Sequence, residues 1–252
     1  MPESLFIVTG SSRGLGAAML RHLMRPDAVL LGIARRSDAE LAPVALARRT
    51  RLEQWQHDLA DPVPVAQHLK RWLSEFGPTE FAQATLINNA GAVTEPAPAA
   101  DSDLAAMASA LRVSLEAIVV LTAAFLHATS AWTGSRRVLN ISSGLGRRAM
   151  AGSAAYCAAK AGMDHFSRAI ALEEANRPNG ARIVSLAPGV IDTDMQAQLR
   201  AADPAGFADR ATFVQLRETG QLLSPEAAAE RVLGWLARPD FGSQPVADVR
   251  DT

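Results

Sequence analysis

The chain has 252 residues, a formal net charge of −1, 48% hydrophobic residues and 20% charged residues. This composition excludes a chain that is disordered throughout, and the charge gives no electrostatic reason to expect nucleic acid or an anionic membrane as a partner. No uninterrupted apolar run reaches the ~18 residues of a membrane span, and Met1 stands close before the first predicted strand, so we expect neither a span nor a signal peptide.

Predicted strands and helices alternate along the chain. Apolar runs predict strands at 5–8, 29–33, 52–55, 84–87, 138–143 and 183–186, and helical spacing predicts helices at 15–24, 41–49, 61–76, 101–129, 153–174 and 225–236. This alternation predicts an α/β fold with a doubly wound (Rossmann) parallel sheet of about seven strands, helices on both faces, and a single domain over 1–252.

Residues 193–224 follow the sixth predicted strand, at the edge where doubly wound sheets bind ligands. We interpret this region as a substrate lid. The alternative is an ordinary surface excursion, from which the sequence alone barely separates it.

A glycine-rich segment, residues 9–16, lies between the first strand and the first helix. Glycines at this point permit a tight turn and let a pyrophosphate approach the N–H groups of a helix N-terminus. The candidate ligand-binding residues are Gly10, Ser12, Arg13, Gly14, Leu15 and Gly16. The same letters fit the G-x-S-x-G nucleophile elbow of hydrolases, with Ser12 as nucleophile, but only one strand precedes Ser12, which makes that interpretation weak.

Two arginines at the end of the second strand bear on the choice of dinucleotide. No acidic residue that could bind a ribose occurs from Ala28 to Ser37, and Arg35 and Arg36 stand there instead. Guanidinium groups suit the 2′-phosphate of NADP(H), with Arg13 as a candidate third cation. The alternative is that both arginines are solvated loop cations.

A serine, a tyrosine and a lysine are spaced for chemistry on a substrate oxygen. Ser143 ends a predicted strand, and Tyr156 and Lys160, four residues apart, share one face of the following helix. The pKa of a free tyrosine is about 10, and a neighbouring ammonium favours the phenolate. We therefore expect Lys160 to lower the pKa of Tyr156 toward the range useful for acid–base catalysis.

Several motifs now match one family in order and spacing. They are residues 9–16, Asn88-Asn89-Ala90-Gly91, Ser143, Tyr156 with Lys160, and the segment from Pro188 to Thr193. The chain resembles the short-chain dehydrogenases/reductases over nearly its whole length. Residues 141–144, 192–200 and 222–226 resemble the branch that includes sepiapterin reductases and bacterial benzil reductases.

The resemblance implies a set of roles. It implies a dinucleotide on the glycine-rich segment, Asp58 near the adenine, Asn88 to Gly91 bracing the sheet, Thr193 at the nicotinamide, and Lys160 on the nicotinamide ribose. The cofactor-binding set, beyond residues already named, is Leu59, Asn89, Ala90, Gly91, Tyr156, Lys160, Pro188, Gly189, Val190 and Thr193.

One position departs from the family pattern. The family usually has an asparagine that helps hold a water between the catalytic lysine and solvent, and this chain has Ser114 there. We include Ser114 as a provisional catalytic residue whose shorter side chain implies an added water or a weaker relay. Ser114→Asn is expected to preserve or raise turnover.

The leading function is an NADPH-dependent carbonyl reductase for a ketone or a dicarbonyl such as a diketone. Alternatives are alcohol oxidation by the same chemistry, or an NADP-binding sensor or scaffold with weakened catalysis. The five histidines suggest no metal site, and the single cysteine, Cys157, favours a reducing cytoplasm. The resemblance implies a homodimer through the helices that carry Ser114 and Tyr156, with a tetramer as the alternative.

Overall fold

Seven parallel strands form one sheet at the centre of the computed structural model, which describes residues 3–204 and 206–251 without the side chain of Glu3. The strands lie in the order β3-β2-β1-β4-β5-β6-β7. Their bounds are Glu3–Thr9 (β1), Ala28–Ala34 (β2), Arg51–Gln56 (β3), Phe81–Asn88 (β4), Ser135–Ile141 (β5), Arg182–Ala187 (β6) and Val246–Asp248 (β7). The predicted doubly wound sheet is confirmed.

Helices connect the strands and cover both faces of the sheet. Their bounds are Gly14–Leu23 (α1), Leu41–Ala47 (α2), Pro62–Leu73 (α3), Leu104–Leu111 (α4), Ala117–Ala128 (α5), Ala154–Ala175 (α6), Asp194–Ala201 (α7), Arg210–Glu218 (α8) and Pro225–Leu236 (α9). Short 3-10 turns occur at Ala99–Asp101 and Gly144–Gly146.

The central strand β1 shows why both faces must be covered. Its successive side chains point to opposite faces, so Phe6 and Val8 join the core with α1, α2 and α9, while Leu5 and Ile7 join the core with α3 and α5. Ile7 pairs with Leu31 of β2 on one side and Leu86 of β4 on the other. All three are fully buried, as expected for a parallel sheet between two helical layers.

The predicted helix at 101–129 is continuous in direction but irregular at one point. Between α4 and α5 the residues Arg112–Glu116 form a π-helical turn, with Ser114 at its centre. Such turns insert a residue into a helix and often occur at functional sites.

The stretch Leu104–Ala128 is long and apolar enough to cross a membrane, judged by length and composition alone. Only 28% of its most apolar part is buried inside the protein. The sequence analysis expected no such stretch. One helix of this kind is weak evidence for a span, because the inner face of α5 packs in the core beneath the sheet.

The sequence predicted about seven strands but gave positions for only six of them. Val246–Asp248 has only three residues, too few to show a period-2 pattern, and it pairs in parallel with β6.

The order of the strands reverses direction at β1 and β4, and this places a crevice at their carboxyl ends. The predicted lid, 193–224, contains α7, α8 and the connection between them, and its apolar residues Leu199, Phe207 and Phe213 pack with Met150 in a separate small cluster. Ala205 of that lid, and Met1, Pro2 and Thr252 of the predicted domain, lie outside the described residues.

Candidate active site

The glycine-rich segment has a backbone that other residues could not adopt. Gly10 and Gly14 have φ of 67° and 53°, in the left-handed region. A Cβ at Gly10 would lie 2.9 Å from the Cα of Ala90, and one at Gly16 would overlap the carbonyl oxygen of Gly10. The turn into α1 is thus tight, and its N–H groups remain open to close approach by an anion.

The segment from Asn88 to Gly91 holds this turn in place. The N–H groups of Asn89 and Ala90 both donate to Thr9 Oγ1 at 3.0 Å, and Asn89 Nδ2 donates to the carbonyl oxygen of Thr9 at 3.0 Å. These bonds fix the relative positions of β1 and β4 at the crevice.

A second asparagine braces the sheet beneath the site. The buried Asn88 Nδ2 donates to Asn140 Oδ1 at 2.8 Å and to Thr122 Oγ1 at 3.1 Å. Asn140 Nδ2 in turn donates to Ser167 Oγ at 2.9 Å. The chain of bonds joins β4, α5, β5 and α6, which is the bracing that the sequence resemblance implied.

Arg35 and Arg36 lie exposed just after β2, and within residues 3–204 and 206–251 neither forms an ion pair or a side-chain hydrogen bond. The next acidic residue, Asp38, is engaged by Arg21 of α1 at 3.0 Å. Both guanidinium groups are therefore available to an anionic group of a ligand.

Arg13 has an acidic partner in the predicted lid. Its guanidinium pairs with the carboxylate of Asp194 at the start of α7, and both side chains are exposed. This ion pair joins the glycine-rich segment to the predicted lid, and the role of Arg13 as a third cation for the 2′-phosphate stays a prediction.

The two remaining predicted cofactor segments lie at the same edge of the sheet. Asp58 is exposed after β3, with Oδ1 accepting from the N–H of Ala60 at 2.9 Å, whereas the side chain of Leu59 is buried in the core. Gly189 has φ of 83°, and Thr193 Cγ2 would lie 3.8 Å from a Cβ at Gly14. The segment from Pro188 to Thr193 therefore lies against the glycine-rich turn.

The structure brings Ser143, Tyr156 and Lys160 together. Ser143 lies two residues after the end of β5, and its side chain forms a hydrogen bond with Tyr156 on α6. The ammonium of Lys160 lies 5.6 Å from the centre of the Tyr156 ring and donates to the carbonyl oxygen of Ile141 at 2.7 Å. A hydroxyl, a phenol and an ammonium thus share one end of the crevice.

The acid–base properties of this trio differ from the sequence expectation. Burial raises the pKa of Tyr156 above its usual value and outweighs the opposing hydrogen bond with Ser143, so the net shift is upward, whereas the sequence analysis expected a net lowering. The Lys160 ammonium donates to the carbonyl oxygen of Ile141. Burial also lowers the pKa of Lys160 to about 8, opposed by the charge of Asp164.

Ser114 lies beside the trio but is fully engaged with backbone. Its hydroxyl accepts from the N–H of Ala92 at 2.9 Å and donates to the carbonyl oxygen of Ala92 at 3.2 Å. A Cβ at Gly91 would lie 3.9 Å from both Ser114 Oγ and Lys160 Nζ. The hydroxyl has one proton, and because Ala92 takes it, Ser114 acts first as a clamp on the segment after β4.

The sequence reasoning missed Asp164, which is 2% exposed on α6. It accepts hydrogen bonds from Ser142 Oγ at 2.6 Å and Ser185 Oγ at 2.7 Å. Arg147 faces Asp164 at 3.2 Å and donates to the carbonyl oxygen of Ala247. The spacing of four residues from Lys160 was the available signal, because it places both side chains on one face of the helix.

Comparisons with known proteins agree with this geometry. The family model described as short chain dehydrogenase matches residues 4–204. A benzil reductase ((S)-benzoin forming) from Bacillus cereus is 34% identical over 93% of this chain and 94% of its own length. Sepiapterin reductase from Rattus norvegicus is 31% identical over 97% of this chain and 95% of its own length.

A solved structure shows the same fold with a ligand. The structure of a putative 2-deoxy-D-gluconate 3-dehydrogenase from Agrobacterium tumefaciens with bound NADP has a TM-score of 0.78, 25% identity, and coverage of 98% of this chain and 94% of that one. These matches leave the hydrolase interpretation of Ser12 without support. The chain belongs to the short-chain dehydrogenase/reductase family, in the branch of the benzil and sepiapterin reductases, and is an oxidoreductase of the carbonyl reductase type that uses a nicotinamide cofactor.

Proposed function

We propose that this protein is an NADPH-dependent reductase of dicarbonyl compounds, with aryl diketones as the first class to test. The observation that carries the proposal is the convergence of Ser143, Tyr156 and Lys160 at the crevice that the glycine-rich turn borders. The named activities of the relatives, benzil reductase and sepiapterin reductase, suggest the substrate class.

The protein's own groups account for the proton and the developing charge. Ser143 and Tyr156 donate hydrogen bonds to the carbonyl oxygen of the substrate, and Tyr156 delivers a proton as that oxygen becomes an alkoxide. Lys160 places a positive charge beside the phenol and stabilises the phenolate that remains after proton transfer.

NADPH, when bound, supplies the hydride. The residues that would hold it are the glycine-rich turn, Arg35, Arg36, Asp58, the segment from Asn89 to Gly91, the segment from Pro188 to Thr193, and Lys160. An ammonium has three donors, and the bond to Ile141 uses one, so donors remain for a ribose hydroxyl. The exposed guanidinium groups of Arg35 and Arg36 support the choice of the phosphorylated dinucleotide.

The lid supports an apolar substrate. Phe207 and Phe213 stack with centroids 5.6 Å apart, and Leu145 and Cys157, neighbours of the catalytic serine and tyrosine, pack against their cluster. An apolar lid next to the reacting groups excludes water and suits aromatic rings.

We also propose a homodimer in the cytoplasm. Much of the apolar stretch Leu104–Ala128 is uncovered, which suits a contact between two copies through this helix and α6. The single cysteine, Cys157, fits a reducing compartment.

Tyr156→Phe tests the proposed function. Because the variant lacks only the phenolic hydroxyl, it is expected to bind NADPH as the wild type does while the kcat for benzil falls by about 10²–10⁴-fold. Fluorescence titration measures the binding, and NADPH absorbance measures the turnover.

Two results would contradict the proposal. Wild-type turnover in Tyr156→Phe would remove the tyrosine from the mechanism. A wild-type protein that binds NADPH but reduces no diketone, quinone or pterin carbonyl would favour the sensor or scaffold.

A further inference from the structure

A buried carboxylate lies beneath the reacting groups and has no part in the mechanism proposed above. Asp164 stands four residues after Lys160 on α6 and is 2% exposed. It accepts from Ser142 Oγ at 2.6 Å and from Ser185 Oγ at 2.7 Å. Ser142 comes directly after β5 and Ser185 lies within β6, so one carboxylate group joins the region of both strands to α6 where the site is built.

The second oxygen of Asp164 faces a cation. Arg147 Nε lies 3.2 Å from Asp164 Oδ2, and another nitrogen of Arg147 donates to the carbonyl oxygen of Ala247 on β7 at 2.9 Å. Arg147 follows the 3-10 turn Gly144–Gly146, which begins directly after Ser143. The carboxylate therefore also fixes the segment that follows Ser143 in the chain.

The neighbouring Lys160 is 4% exposed, and burial disfavours its charged form. Asp164 is the group whose charge opposes this effect. The carboxylate is held in place on α6 by the two hydroxyl donors on Oδ1, while Oδ2 forms no hydrogen bond and is balanced only by the charge of Arg147.

We propose that Asp164 is a positioning residue for this reaction, which holds Lys160 in its charged form and fixes the segment that carries Ser143. The inference rests on the proposed role of Lys160, and it adds a fourth, negatively charged group to the Ser143, Tyr156 and Lys160 set. Asp164 does not touch the substrate, so its effect passes through Lys160 and Ser142.

The charged and titratable groups around this pair come from three elements. On α6 itself they are Tyr156 and Lys160, after the 3-10 turn it is Arg147, and on β7 it is Asp248, which lies 4.0 Å from Arg147 and 2.6 Å from Arg250. The π-helical turn contributes the uncharged hydroxyl of Ser114. Asp164 is the one of these that opposes the effect of burial on Lys160.

The composition of the chain allows a direct measurement on Lys160. Lys70 and Lys160 are the only lysines, and Lys70 is exposed on α3. Protein grown with ¹³C-labelled lysine therefore gives two sets of side-chain signals, and the ¹³Cε shift of Lys160 can be titrated by NMR without turnover or cofactor. Lys70 serves as the internal reference.

Asp164→Asn is the decisive variant. Without the carboxylate charge the titration midpoint of Lys160 is expected to fall from about 8 by about one unit, while that of Lys70 stays in place. Ser185→Ala is the matched control: it removes one hydrogen bond to the same carboxylate and keeps the charge, so it lowers thermal stability without moving the midpoint. An unchanged midpoint in Asp164→Asn, or an equal fall in Ser185→Ala, overturns the proposal.

Arg147→Gln covers the case in which Asp164→Asn does not fold. It removes the cation that faces Asp164, so the midpoint of Lys160 is expected to rise, and a fall overturns the proposal. Because the titration needs no substrate, it tests the role of Asp164 even when diketone reduction fails. If the enzyme reduces a diketone, kcat/KM is expected to fall with rising pH, and the fall is expected at lower pH in Asp164→Asn than in the wild type.

Discussion

At the scale of single residues, the proposed mechanism makes the rate depend on the protonation of Lys160. The pKa of Lys160 is lowered to about 8 by burial, and the proposed mechanism needs its ammonium. The group is charged below this pKa and loses its charge as pH rises through it, so kcat/KM for diketone reduction is expected to fall above about pH 8. Initial rates from about pH 6 to about pH 10 measure this. A profile flat across that range would show that the charge of Lys160 is not required.

The cofactor preference also belongs to this scale. Arg35 and Arg36 are exposed and point to no acidic partner within the described ranges, so their loss is not expected to disturb the fold. Replacing both by alanine is expected to weaken NADPH binding at least about tenfold and to leave NADH binding unchanged. Isothermal titration with both dinucleotides measures the two constants.

Arg231, an exposed arginine on α9, provides the matched control as Arg231→Ala. Equal losses for NADPH and NADH in the double variant would show that the two arginines do not read the 2′-phosphate.

Ser114 stands where the family usually has an asparagine, and its side chain is bonded to backbone. The hydroxyl closes two hydrogen bonds with Ala92, at the centre of a π-helical turn next to Lys160. Its side chain therefore holds the wall of the site, and any proton path from Lys160 to solvent must use another group or a water.

At the scale of elements, aromatic residues pack the predicted lid, 193–224, against the rest of the domain. Phe207 is 1% exposed and stacks on Phe213, and a Cβ at Gly152 would lie 3.2 Å from its ring. Truncation of a buried phenylalanine costs about 3–5 kcal/mol. Phe207→Ala is therefore expected to loosen α7 and α8 and to raise the KM for the diketone more than the Kd for NADPH.

Phe241 offers the matched control, because it is 2% exposed and lies in the core beside α9, away from the lid. Phe241→Ala is expected to lower the melting temperature by a similar amount with an unchanged KM. If both variants raise KM alike, the region 193–224 is an ordinary surface excursion and not a lid.

At the scale of the whole molecule, the exposed apolar face of α5 is the proposed contact with a second copy of the chain. Ala123 is exposed on this helix, within the apolar stretch Leu104–Ala128, of which only 28% of the most apolar part is buried. We expect a dimer at micromolar concentration by light scattering, and we expect Ala123→Arg to give a folded monomer, since a buried unpaired guanidinium is costly at an interface.

Leu46→Arg is the control, because Leu46 is 81% exposed on α2, far along the chain from the proposed interface. It is expected to remain dimeric. A wild-type monomer at micromolar concentration would contradict the proposed interface.

The sequence alone determined the architecture, because the signals involved are local. Apolar runs of four to eight residues between helical patterns fix a parallel sheet, glycines at Gly10 and Gly16 mark the turn, and the spacing from Tyr156 to Lys160 fixes a shared helix face. The β7 strand escaped this reasoning, since Val246–Asp248 gains its strand conformation from pairing with β6.

Only the tertiary structure decided how the site's charges are partnered. Arg13 pairs with Asp194, a residue 181 positions away, and Asp164 gathers Ser142, Ser185 and Arg147 from three separate segments. The direction of the pKa shift of Tyr156 was wrong from sequence for the same reason, because the burial of its side chain depends on every element packed around it. Periodicity places a side chain on a face, but desolvation and ion pairing depend on what covers that face.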